Sequence, residues 1–110
     1  MTATAVPAWT GALVVALLER QAVAVAYHSR TRVVCPHAIG YKGGRVILLA
    51  YQVGGETSTG NLDADPTRRW RCLYLDEIDG VAADDSAWHS AANYDPARPF
   101  PAADGVAVAV

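Results

Sequence analysis

Two cysteines in 110 residues are too few for a disulfide framework. A chain of this length can bury roughly two thirds of its unfolded surface, enough for one core without staples. Long hydrophobic runs are missing as well. The small or apolar stretch at residues 11–18 is far too short to span a bilayer. No Lys or Arg precedes it, and Glu19 and Arg20 close it, which argues against a secretion signal. Basic excess is also absent: the net charge of −2 argues against a general nucleic-acid coat. No internal repeat is visible. No nucleophile elbow or oxyanion loop accompanies Cys35 or Cys72, so the sequence offers no catalytic signature. A non-enzymatic domain with no cofactor is the expectation.

What charge there is lies unevenly. Residues 30–71 hold seven basic side chains against three acidic ones, a balance of +4, while the rest of the chain carries −6. A basic face on an acidic domain suits an anionic ligand. Both cysteines lie in apolar runs, and buried, reduced thiols in a cytoplasmic protein are expected. A disulfide between neighbouring strands is the alternative.

Thr10 reads as an N-cap, followed by a helix over residues 11–21 with Leu13, Leu17 and Leu18 on its apolar face. No second helix stands beside it to make a helix-turn-helix. From Ala22 the period becomes two, with Val23, Val25 and Tyr27 on one face of a strand. After a polar turn at residues 28–31, a second strand runs over 32–39. Pro36 inside it requires an edge or a bulge, because proline donates nothing to a ladder. Gly43-Gly44 suits a tight hairpin. Residues 45–53 form the strongest strand, apolar at both parities, so both its faces should be covered. The polar stretch 54–69 reads as a flexible lid rather than a phosphate cradle, since it lacks the Lys-Ser/Thr ending and the helix of a P-loop. Residues 70–75 and a short segment around Ile78 and Val81 complete the strands, with Trp88 folding back on the core. One domain over 11–94 is expected, with an arm at 1–10 and an extended tail at 95–110 whose end, 105–110, is able to add an edge strand. The predicted fold is mainly β (α+β): a small, partly open SH3/Sm-like β-barrel of about five strands with one N-terminal helix.

Four blocks in order resemble the WYL domain family. They are a strand ending in Tyr27-His28-Ser29, then Arg32 followed by Pro36, then Gly44 leading a hydrophobic strand to Ala50-Tyr51, and finally an arginine-bearing strand ending Leu75-Asp76-Glu77-Ile78. The short, self-contained form is the nearer likeness, through Tyr51-Gln52-Val53-Gly54-Gly55 and Asn93-Tyr94-Asp95-Pro96. The resemblance implies an Sm-like or SH3-like barrel and a ligand-sensing or accessory role in bacterial transcription regulation. The chain departs from the family where the name-giving Trp-Tyr-Leu falls on Val46-Ile47-Leu48, and where basic positions fall on Tyr74 and Glu77. The DNA-binding domain that usually precedes the barrel in that family is not expected here.

Cations inside apolar strands need partners. Arg32 and Arg71, with Arg69 beside them, offer planar donor forks for phosphate. Tyr27 and Tyr51 offer stacking faces. These five residues form the candidate ligand site, for a nucleotide or short single-stranded nucleic acid. The alternative is structural: tyrosines in the core or rim, and arginines paired with Asp76, Glu77 or Asp79. A metal cluster of His28, Cys35 and His37 matches no strong zinc spacing. A protein-interaction or homo-oligomerisation module, favoured by the doubly apolar strand and the apolar tail, is the competing function. No membrane partner is expected.

Overall fold

A computed structural model describes residues 7–57, 60–100 and 103–110. Helix α1 spans Thr10–Leu18. It starts one residue earlier than the sequence predicts, because Thr10 N–H donates to Pro7 O and Trp9 takes the N-cap position. Thr10 therefore caps nothing, and its buried hydroxyl has no partner. The helix also ends early. Arg20 adopts the left-handed conformation and Gln21 N–H reaches back to Ala16 O, closing the last turn.

Six antiparallel strands form one sheet: β1 Val23–Tyr27, β2 Arg30–Lys42, β3 Arg45–Gly55, β4 Trp70–Tyr74, β5 Ile78–Ala83 and β6 Gly105–Ala109. The path is β4-β3-β2-β1-β5. The long strand β2 shares one side between β1, along its first half, and β6, along its second. Among the described residues no pairing joins β4 to β5, so the sheet is open. A 3-10 turn, Leu75–Glu77, links those two strands. The expected α+β class with an N-terminal helix is present. The sixth strand comes from the segment expected as an extended tail.

Turn chemistry sets the register. Gly43 and Gly44 both take positive φ, the requirement of the two-residue hairpin turn that joins β2 to β3. His28 and Ser29 make the same turn between β1 and β2. Of the edge or bulge that Pro36 requires, the structure takes the bulge: His37 is the extra residue between the pairs Pro36↔Ala50 and Ala38↔Leu49.

Strand β3 is covered on both faces, as its apolar parity requires. One face joins Leu48 and Ala50 to Leu13 and Leu17 of α1, to Val23 and Val25, and to Leu73. Burying a leucine as fully as Leu13 or Leu17 is worth about 2–3 kcal/mol. The other face packs Ile47 and Leu49 against Phe100, and Tyr51 against Cys35 and Trp88. No helix among the described residues is long and apolar enough to cross a membrane.

Candidate functional site

Strand parity divides the five candidate residues. Gln52 shares the inner face with Leu48 and Ala50, and Arg71, paired with Ala50, lies on that face beside it. Arg32, paired with the buried Val25, points the same way. The two arginines meet on one atom: Gln52 Oε1 accepts Arg32 Nη1 at 3.2 Å and Arg71 Nε at 3.0 Å. Gln52 Nε2 donates to Gly54 O and Glu56 O, so its amide is fixed at both ends.

Arg32 is only 8% exposed, and its Nε has no partner among the described residues. Burial, then the Arg71 and Arg30 guanidiniums, pull its pKa below the ordinary arginine value. No carboxylate offsets this. Among the described residues the ion pairs are His28–Glu77, Arg45–Asp76 and Arg45–Glu77. Thus Arg45, not Arg32 or Arg71, takes Asp76 and Glu77, and its guanidinium also lies 3.7 Å from the Tyr74 ring centroid. Hydrogen bonds from Arg45, and first from His28 in the case of Glu77, hold both carboxyls below their usual range.

The tyrosines are not free platforms. Tyr27 is buried, its hydroxyl accepts Tyr74 N–H, and its ring stacks on His28 at 4.0 Å. Tyr51 points to the opposite face, where its hydroxyl donates to Pro66 O and its ring meets Trp70. Arg69 accompanies Tyr51 there, with Nε on Asp63 O at 2.8 Å. The structure therefore gathers Arg32 and Arg71 and does not bring Tyr51 and Arg69 to them. Gln52, the residue that joins the pair, was not among the candidates. Its signal was a lone amide on the apolar parity of a core strand, where every polar atom needs a partner.

The other sequence candidates fall apart. Cys35 is buried but Cys72 is exposed, and both are free thiols, so the expectation that both are buried fails for Cys72. Its strand, β4, is an edge of the sheet among the described residues, so its side chains have strand neighbours on one flank only. His28 is exposed on Glu77, while His37 is enclosed by Trp70, Trp88 and Tyr94. The expected lid is pinned where it is described. Gly54 and Gly55 belong to β3, Asp65 caps the 3-10 turn Pro66–Arg68, and Tyr51 and Arg69 bind its carbonyls. Ser58 and Thr59 lie outside the described residues.

The fold and the site define a small β-rich domain in which a buried and a half-buried arginine share one amide oxygen, with no carboxylate on either among the described residues. Comparison with protein-family models, with curated proteins and with solved structures gives no match.

Proposed function

We propose that the chain is a non-enzymatic binding module for a phosphate-bearing ligand, a nucleotide or short single-stranded nucleic acid, acting as a sensor or accessory regulator in the cytoplasm. One observation carries this reading: Arg32 and Arg71 converge on Gln52 with no acidic partner. Burying an unpaired cation is costly, and a bound anion offsets that cost. Arg30, half-buried and close enough to depress Arg32, adds to the positive field. The resemblance to WYL domains supports the same role. Phosphate would meet Arg71, the more exposed of the pair, with Arg32 behind it.

Fluorescence-polarisation titration of labelled single-stranded DNA and RNA at two salt concentrations, with nucleotide competitors, tests the proposal. Arg71→Ala should weaken binding by about tenfold and lower the salt slope by about one. Unchanged affinity in that variant, or no binding by the parent at low salt, would remove the site.

A protein-interaction module is the second reading. The doubly apolar strand that favoured it is covered by the chain itself, but Val15 and Leu18 on the uncharged helix α1 are 53% and 57% exposed. Light scattering that shows a strict monomer, alongside ligand binding, decides against it.

A further inference from the structure

The far side of the sheet carries a second set of donors. A surface groove of about 520 Å3 opens between the end of β3 and residues 86–90, lined by Tyr51, Val53, Arg69, Ser86, His89 and Ser90. That volume lies within the range of small-molecule sites. Among the described residues no carboxylate lines it.

Its walls are set in advance. Asp84 accepts both Ser86 N–H and the Ser86 hydroxyl, and His89 N–H donates to the buried Cys35 Sγ at 3.3 Å. Those bonds fix the wall formed by residues 86–90 on the sheet. On the opposite wall Arg69 is tethered through Nε to Asp63 O, and its main-chain carbonyl accepts Gln52 N–H. Asp65, whose carboxyl Arg69 helps to hold below its usual range, uses Oδ1 on Thr67 N–H and the Thr67 hydroxyl. Among the described residues nothing takes the two terminal nitrogens of Arg69, the His89 ring or the Ser90 hydroxyl.

We infer that this groove is a separate binding site for a small phosphate monoester, distinct from the inner arginine pair. The Arg69 guanidinium fork, the His89 imidazole and the Ser90 hydroxyl, drawn from two walls of one groove, match the several acceptor oxygens of a phosphate group. The Tyr51 ring and Val53 then remain to cover the organic part. The sheet stands between the two sites, because Tyr51 and Gln52 are consecutive residues of opposite parity.

The test is an amide NMR titration of the full chain with inorganic phosphate, a sugar phosphate and a nucleoside monophosphate in parallel. Saturable shifts are expected at residues 51, 69, 86, 89 and 90 with either ester, and these arms show whether the base matters. Arg69→Ala should weaken that response about tenfold while leaving shifts at residues 32, 52 and 71 intact, and Arg69→Lys should fall between. Arg71→Ala should do the reverse. The NMR spectrum of each variant reports whether it folds. Silence in the groove up to about 10 mM ester, well above a millimolar dissociation constant, overturns the inference. So do groove shifts that survive Arg69→Ala. Shifts confined to residues 32, 52 and 71 overturn it while upholding the inner site.

Discussion

Gln52 holds two guanidiniums at one oxygen, and that arrangement sets the balance between stability and binding. An amide oxygen satisfies hydrogen bonds but carries no net charge, so the desolvation of Arg32 is left uncompensated in the free protein. Arg32→Met removes the charge, keeps the bulk, and leaves Gln52 Oε1 still bonded to Arg71. Stability should rise by about 1 kcal/mol while oligonucleotide affinity falls. Urea unfolding and fluorescence polarisation on the same preparation check the pair of effects. A variant that loses stability as well as binding would mean that Arg32 is structural.

At the scale of elements, the hairpin β2–β3 places the arginine pair, and its far end is held by close backbone approach. Gly55 pairs with Arg32 at positive φ, and a Cβ there would lie 2.5 Å from Thr31 O and 2.8 Å from Arg32 Cα. Gly43, also at positive φ, has nothing within 4 Å of its would-be Cβ. Gly43→Ala should therefore cost only the conformational part, about 1 kcal/mol, whereas Gly55→Ala adds a backbone clash and should cost clearly more. Comparison of their urea midpoints checks this, and equal losses would refute the close-approach argument. The hairpin itself was legible in the sequence, because Gly43-Gly44 and Pro36 fix their own local geometry. The division of the candidate site was not. Placing Arg32 and Arg71 together requires the pairing β3–β4 as well as that hairpin, and no local pattern states it.

In the whole molecule, the segment after β5 closes over the outer face at His37. That residue, the bulge of β2, stacks on Trp88 at 4.2 Å and meets Trp70 and Tyr94 edge-on. Its carbonyl accepts Val110 N–H, and the Tyr94 hydroxyl donates to Val110 O. The Nδ1 of His37 lies 2.7 Å from Cys35 O, while Nε2 is buried without a partner among the described residues. Burial lowers its pKa; the Cys35 carbonyl opposes this, and Arg20 adds to it. Between about pH 6.5 and the lower folded value the unfolded chain binds a proton that the folded chain refuses. Stability is thus fully present above about pH 6.5 and is lost as pH falls, by about 1.4 kcal/mol for each unit of depression. His37→Asn keeps a donor for the Cys35 carbonyl and removes the titration. Its urea stability should be lower at neutral pH but flatter between about pH 5 and 7. Parallel pH slopes in the two proteins would assign the acid sensitivity to another group.

The sequence by itself determined the mainly β class, the N-terminal helix, the hairpin at Gly43-Gly44, an edge or bulge at Pro36 and the two covered faces of β3. Each follows from periodicity or from a residue whose backbone options are few. Only the tertiary structure decided that Arg45 takes the acids near β5, that Gln52 joins Arg32 to Arg71, and that Tyr51 and Arg69 serve the opposite face. Such partners are set by strand register and parity across the sheet, and a one-residue change of register would exchange the faces.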